Sequence, residues 1–239
     1  MNALAVTLWA AYPVRLPLAY NAMVQGALYE NWRGTFPELH DQGYSDGLHR
    51  FRMFTFSPLQ GHYRVQGKQI LFDGAIRLEV RSPVSELIDA LCDSLQERGA
   101  MVFGRNELPV ISLECADRLL FFHHASIRTL SPVTVHETQP NGRTIYYSPE
   151  DEMFLPLLVG NLESKLRAVG ISAASLLSCV PSVQTLRKRV TTFKGTYVTA
   201  YEGRFELQAE PEAMAMLYYA GLGSRNSQGF GMFAIENVP

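Results

Sequence analysis

Twice along this chain the hydrophobic pattern runs strand, helix, strand, strand, helix, strand, and that duplicated order narrows the fold more than any other feature. In the first half, residues 4–9 have the length of a strand. Tyr20, Val24, Ala27 and Leu28 then fall on one helical face, which the pattern ends near Trp32-Arg33-Gly34. Residues 48–57 read as a strand carrying Arg50 and Arg52 on one side. Residues 70–80 close in alternation, with Ile76, Leu78 and Val80 inward and Arg77, Glu79 and Arg81 outward. Ser82-Pro83 predicts a helix start, followed by Val84, Leu87, Ile88, Leu91 and Leu95 up to Gly99. Short strands follow around 101–103 and 108–115.

The second half repeats the plan. Residues 119–135 are strand-like, with a bend or an edge at Ser131-Pro132. Ser148-Pro149, with Glu150, Asp151 and Glu152 behind it, predicts a helix that Phe154, Leu155, Leu158, Leu162 and Leu166 carry toward Gly170. Residues 183–194 and 197–208 make a hairpin around Gly195. A short helix opens at Glu210-Pro211 and runs through Tyr219, and residues 230–235 form the closing strand. The expected fold class is α+β, as two tandem ferredoxin-like (RRM-like) βαββαβ units with a C-terminal glycine-rich loop. The units span residues 1–117 and 118–239.

That loop is Gly221-Leu222-Gly223-Ser224-Arg225-Asn226-Ser227-Gln228-Gly229-Phe230-Gly231. Glycine tolerates positive φ and lets backbone N–H groups approach a ligand, so such a run can cradle an anion. It can equally be a tight turn re-entering a sheet. A helix precedes it and a strand follows, the reverse of a dinucleotide-binding fingerprint, and no Gly-Lys-Ser/Thr is present. Ser224, Arg225, Asn226 and Gln228 favour a grip on phosphates or bases.

With 47% hydrophobic and 18% charged residues the chain reads as an ordinary globular protein, and its net charge of −2 excludes an indiscriminate polyanion binder. Any nucleic-acid contact must come from local clusters. Arg50 and Arg52 form one; Arg187, Lys188, Arg189 and Lys194 form another, with Phe51, Phe54, Phe193, Tyr197 and Tyr201 interleaved. Cations for phosphates and rings for unstacked bases suit RNA. The three cysteines, Cys92, Cys115 and Cys179, make neither a disulfide framework nor a CxxC pair and read as reduced core thiols of a cytoplasmic protein. Residues 1–11 are apolar but too short for a membrane span and lack a signal peptide's basic start, so no membrane association is expected.

None of the six histidines has HExxH spacing or a nearby cysteine, so neither a metal site nor a cofactor is expected. His124-Ala125-Ser126 and His136-Glu137-Thr138 lie too close together to serve one lobe each of a two-histidine phosphoesterase and read as chance. His40 differs. It sits in a polar segment with Glu38, Asp41 and Tyr44, where an imidazole can take a proton from a hydroxyl without a metal.

These residues together resemble the CRISPR-associated repeat-processing endoribonucleases, the Cas6 family of the repeat-associated RNA-binding superfamily. The glycine-rich run resembles that family's C-terminal loop, and Leu16-Pro17-Leu18-Ala19-Tyr20-Asn21 its N-terminal opening. Leu39-His40-Asp41-Gln42-Gly43-Tyr44 with the stretch from Arg50 to Ser57 resembles its histidine segment and second strand. Ser131-Pro132-Val133-Thr134-Val135, Arg189 through Phe193-Lys194-Gly195, and Tyr201-Glu202-Gly203-Arg204-Phe205 complete the likeness, which covers nearly the whole chain.

The resemblance implies a metal-independent endoribonuclease that cuts CRISPR precursor RNA within each repeat. The 2′-OH attacks in line, leaving a 2′,3′-cyclic phosphate and a 5′-OH. It implies His40 as the base and Tyr29 at the leaving group or phosphate. Members with a His, Tyr and Lys set carry the lysine soon after the histidine; none lies between Tyr44 and Leu48 here, and His49, Arg50 or Arg52 stand in for it. RNA binding is expected from Arg50, Arg52, Arg187, Lys188, Arg189 and Lys194, and from Gly221, Gly223, Ser224, Arg225, Asn226, Gln228 and Gly229. The implied partner is CRISPR repeat RNA, with other proteins of a CRISPR interference complex and a homodimer as further candidates. The alternative is a non-catalytic RNA-binding subunit of such a complex.

Overall fold

The structure is a computed structural model that describes residues 1–116, 119–171 and 175–237. The first lobe contains β1 (Ala3–Pro17), α1 (Asn21–Trp32), β2 (Tyr44–Ser45), β3 (Arg50–Phe51), β4 (Thr55–Phe56), β5 (Gln60–Gln66), β6 (Gln69–Arg81), α2 (Ser85–Arg98), β7 (Ala100–Phe103) and β8 (Asn106–Ala116). Its sheet has the order β4-β6-β1-β8-β7, with β5 also paired to β6, and β1 is antiparallel to both β6 and β8. Period-two alternation sends Leu4, Val6 and Leu8 under α1 and α2, while Trp9 points away from them and is exposed. The Trp32 indole donates to the Leu87 carbonyl at 2.6 Å, locking the two helices together. Gly99, left-handed at φ 66°, ends α2 by donating its N–H to the Leu95 carbonyl.

The second lobe contains β9 (His124–Thr129), β10 (His136–Thr138), β11 (Thr144–Tyr146), α3 (Phe154–Ala168), β12 (Leu176–Pro181), β13 (Arg187–Phe193), β14 (Thr196–Glu202), β15 (Arg204–Ala209), α4 (Pro211–Ala220) and β16 (Phe233–Asn237). Its main sheet is antiparallel, ordered β12-β15-β9-β16. Phe154, Leu158, Leu162 and Leu166 of α3 and Met214 and Leu217 of α4 share a core with Ile127, Phe205, Leu207 and Phe233 of that sheet. The chain is thus a mixed α/β protein of antiparallel sheets. Among the described residues no helix is long and apolar enough to cross a membrane.

Several sequence expectations are corrected. The strand expected over 48–57 is broken at Met53, which is left-handed at φ 51° and whose carbonyl accepts from the buried Ser82 hydroxyl at 2.6 Å. Its halves serve different sheets: β3 pairs with β2, and β4 with β6. Arg81 does not face outward. It is buried between the lobes, where its guanidinium donates to the Phe233 carbonyl at 2.7 Å, pairs with Glu79 and lies 3.8 Å above the Tyr218 ring. Two of the three Pro-marked helix starts come later than expected, at Ser85 and Phe154, the second because residues 149–153 first make turns and a bend; α4 starts at Pro211 as expected. The second-half hairpin is β13–β14 alone; β15 leaves it at Gly203 and joins the main sheet. Cys92 and Cys179 are buried thiols, but Cys115 is exposed. The expected unit boundary at 117–118 lies outside the described residues.

Candidate active site in the cleft between the lobes

A cleft of about 1270 Å³ lies between the lobes. Its first-lobe wall carries Tyr29, His40, His49, Arg50 and Arg52. Its second-lobe wall carries Lys194, Ser224, Arg225, Asn226 and Gln228. Residues widely separated in sequence therefore face one space.

Helix α1 sets the first-lobe wall. Tyr29 packs edge-on against Trp32 and Phe54, and its ring meets the His40 imidazole edge-on at 4.8 Å between centroids. The His40 turn is closed by backbone bonds from Asp41 and Gln42 to the Glu38 carbonyl. Asp41 Oδ1 lies 2.6 Å from His40 Nδ1. A carboxylate only accepts, so Nδ1 carries the hydrogen and Nε2 is left with a lone pair. The Arg52 guanidinium donates to the His40 carbonyl at 2.9 Å through Nε and reaches the Asp41 carbonyl at 3.4 Å. Burial raises the Tyr29 hydroxyl above its ordinary value, while Arg52 and Ser227 beside it pull the other way. It stays protonated at neutral pH and is a donor.

His49 sits on the β2–β3 hairpin, apart from that group. Asp46 holds this turn: its Oδ1 accepts from the backbone N–H groups of Leu48 and His49 at 2.9 and 2.6 Å. Those bonds keep the carboxyl far below the usual range. Its other oxygen lies 3.5 Å from both His49 Nδ1 and Arg167 of α3, so the hairpin is tied to the second lobe.

The glycine-rich run closes the cleft, and much of its backbone is paired within the protein. Gly221 donates to the Leu217 carbonyl, Leu222 to Gly231, Ser224 to Thr134, Gly229 to Asn226 and Gly231 to Pro132. Gly221, Gly223 and Gly229 are buried and absent from the cleft wall. They allow a tight fold. A Cβ on Gly223 would meet the Thr134 carbonyl at 2.6 Å, and one on Gly229 would meet Asn21 Nδ2 at 2.6 Å and the Phe56 ring at 2.7 Å. Gly229 is also at φ 84°. Gly229→Ala is therefore expected to lower stability by ~2–4 kcal/mol through strain and overpacking between the lobes, read as a shifted urea midpoint.

Two side chains of α1, one turn apart, clamp the loop to the first lobe. Asn21 donates to the Gln228 carbonyl at 2.9 Å and Gln25 to the Ser227 carbonyl at 2.8 Å. From beneath, Lys165 of α3 donates its three hydrogens at 2.8 Å to the Gly221 carbonyl, the Gly223 carbonyl and Asn226 Oδ1. The Asn226 amide in turn donates to the Leu222 and Phe230 carbonyls, so its side chain spans the loop from inside. Lys165 is buried, which pulls its ammonium down to about 7.

The basic run of the second hairpin mostly faces elsewhere. Arg189 pairs with Glu202, and Arg187 donates to the Gln184 and Leu186 carbonyls; neither these nor Lys188 line the cleft. Lys194, left-handed at the hairpin turn, does. Sequence reasoning missed Asn21, Gln25, Lys165 and Ser227, and it dismissed His136, which lines the second-lobe wall.

The arrangement offers an oriented imidazole, a protonated phenol and a guanidinium in a groove floored by a rigid loop. Solved structures share its fold. A Cas6-related protein from Pyrococcus furiosus superposes with a TM-score of 0.84 at 17% identity, covering 100% of this chain and 99% of that one. A RAMP protein described as binding different RNA substrates superposes at 0.83 with 18% identity, covering 99% and 100%. Both likenesses are of fold. The family model for the C-terminal part of CRISPR-associated protein Cas6 matches residues 117–235. A CRISPR-associated endoribonuclease Cas6 from Methanocaldococcus jannaschii is 26% identical over 225 residues, spanning 91% of this chain and 86% of that protein. Residues 117–235 thus match the Cas6 family, and the likeness to the Methanocaldococcus protein extends over most of the chain.

Proposed function

We propose that this protein is an endoribonuclease that cuts CRISPR precursor RNA within each repeat, without a metal ion. The observation that carries this is the grouping of His40, Tyr29 and Arg52 beside Ser227 of the glycine-rich loop in one cleft. His40 Nε2 takes the proton of a ribose 2′-OH as that oxygen attacks the adjacent phosphorus, and Asp41 stabilises the imidazolium that forms. The bond from phosphorus to the 5′ oxygen breaks, leaving a 2′,3′-cyclic phosphate and a 5′-hydroxyl. Arg52 balances the charge gathering on the phosphorane, the role a lysine has in relatives with a His, Tyr and Lys set. Tyr29 donates to a phosphate oxygen or to the leaving oxygen. His49, on its separate hairpin, is the second candidate for a charged partner. Arg50, Lys194, Ser224, Arg225 and Gln228 hold the RNA, and Asn226 shapes the loop from within.

We read the lobes as two ferredoxin-like units, residues 1–117 and 118–239. The sheet orders β5-β6-β1-β8 and β12-β15-β9-β16, each with two helices on one face, support this. The compartment that fits free thiols and an RNA substrate is the cytoplasm. The functional test is incubation with a repeat RNA in EDTA. The expected result is one cut per repeat with a cyclic phosphate end. Cutting that stops in EDTA and returns with magnesium contradicts the metal-free mechanism, and tight binding without any cut favours the non-catalytic alternative.

A further inference from the structure

Among the described residues four side-chain atoms are buried without a hydrogen-bond partner: Asp46 Oδ2, His136 Nδ1, Asn161 Oδ1 and Arg225 Nε. Buried polar atoms are nearly always paired, so such a group calls for a reason. His136, Asn161 and Arg225 all line the second-lobe wall of the cleft. They are not scattered through the core; they share one surface.

Two of them are brought together by the chain's pairing. Thr134 bridges Ser224, whose N–H donates to the Thr134 carbonyl at 2.8 Å. His136 lies two residues beyond Thr134, and Arg225 lies next to Ser224. The His136 ring is backed by Tyr146, its register partner on β11, at 5.5 Å between centroids. Tyr146 is fixed in turn by donating its hydroxyl to the Tyr197 carbonyl. Arg225 is held left-handed at φ 57°, a strained conformation for a side-chain-bearing residue. One end of its guanidinium is steadied by Gln228 Oε1 at 3.3 Å, which leaves Nε unpaired.

Burial, with the nearby Arg225 charge, pulls the His136 imidazole down to about 4, so the ring is neutral at physiological pH. A neutral imidazole offers one N–H and one lone pair. A fixed guanidinium beside a neutral ring that both donates and accepts matches a base edge better than a phosphate, which only accepts. Among bases, guanine presents two adjacent acceptors, O6 and N7, to an arginine fork. In RNA such an edge is reached on an unpaired, splayed base.

We infer that His136 and Arg225, backed by Tyr146, form a subsite of the second lobe that reads one unpaired guanine of the bound RNA. The inference rests on the RNA-binding reading above and adds a specificity element remote from His40.

The test is binding of the repeat RNA from the protein's own array, with each guanosine in turn replaced by 7-deazaguanosine, which lacks only the N7 acceptor. The wild type is expected to lose about tenfold affinity at one position and little elsewhere. His136→Phe keeps the ring packed on Tyr146, and Arg225→Met keeps the apolar stem of the side chain while removing the guanidinium. Both are expected to bind the unmodified RNA more weakly and to be indifferent to the replacement at that position. His136→Asn, which returns a polar atom near the Nδ1 position, is expected to recover part of the discrimination. Wild-type indifference to every replacement overturns the subsite. So do variants that weaken all the RNAs by one factor while the 7-deaza effect persists, since that marks a phosphate contact or a structural role. Failure to bind the unmodified repeat RNA overturns the proposed function and the subsite with it.

Discussion

Replacing His40 with alanine is expected to lower the single-turnover cleavage rate by about 10²–10⁴-fold while repeat RNA still binds with nearly wild-type affinity. The separation follows from the geometry. His40 is exposed on a turn whose backbone bonds run from Asp41 and Gln42 to Glu38, so its side chain can be removed without unravelling its surroundings. The loop and the second-lobe cations, to which we assign the grip on RNA, are untouched. Asp41→Asn extends the prediction: a neutral amide neither enforces the Nδ1–H tautomer nor stabilises the imidazolium, so a smaller rate loss with unchanged binding is expected. Parallel losses of rate and affinity in His40→Ala would make His40 a binding residue.

The second large effect is expected from Lys165→Met. Methionine fills similar space but leaves the Gly221 carbonyl, the Gly223 carbonyl and Asn226 Oδ1 without their donor. Unmet buried acceptors cost ~1–3 kcal/mol each. The loop can recover them only by shifting, and Ser224, Arg225 and Ser227 shift with it. RNA affinity is expected to fall about tenfold or more, measured by titration of a labelled repeat RNA. Lys165 also leaves a pH signature. Its folded value, about 7, lies below the 10.5 of an exposed lysine, so between those values the unfolded chain binds more protons than the folded one. Stability must therefore rise with pH across that window, by at most ~1.4 kcal/mol per unit. The wild type should gain on Lys165→Met in urea unfolding between pH 7 and 9. Equal pH dependence in the two proteins would contradict the assignment.

Lys165 also marks how far the sequence can be read. The apolar stripe of α3, through Leu158, Leu162 and Leu166, is plain from its spacing, and Lys165 falls on that stripe. A lysine at a core position is a visible signal that something must receive its charge, but only the folded chain brings Gly221, Gly223 and Asn226 to it. Asn21 and Gln25 are the same kind of case, polar residues on or beside the inward face of α1, with partners about 200 positions away. The helices are legible because their periodicity is local. The break at Met53 is not, because its carbonyl's partner, the Ser82 hydroxyl, comes from a distant part of the chain. Arg81 follows a clean alternation that predicts exposure, and the second lobe then covers it with Tyr218 and Phe233.

The glycine-rich run is conspicuous in sequence, but what its glycines approach is set by the distant residues packed around them. Its glycines point to close approach, and close approach occurs, but to Thr134, Asn21 and Phe56 of the protein itself. The loop is a folded wedge between the lobes, and Ser224, Arg225, Ser227 and Gln228 line the cleft. Tyr29 stands out in sequence only through family resemblance and His40 through its polar segment as well, whereas Arg52 separates itself from Arg50 and His49 only in three dimensions, by its bonds to the His40 turn.

The most direct test of the cleavage chemistry is a repeat RNA carrying a single 2′-deoxyribose immediately upstream of the scissile phosphate, incubated with the wild-type protein. If the 2′ oxygen is the nucleophile that His40 activates, binding persists, cleavage at that phosphate disappears, and no cyclic phosphate forms. Continued cutting at the same phosphate would show that another nucleophile, such as water, does the work, and would contradict the account.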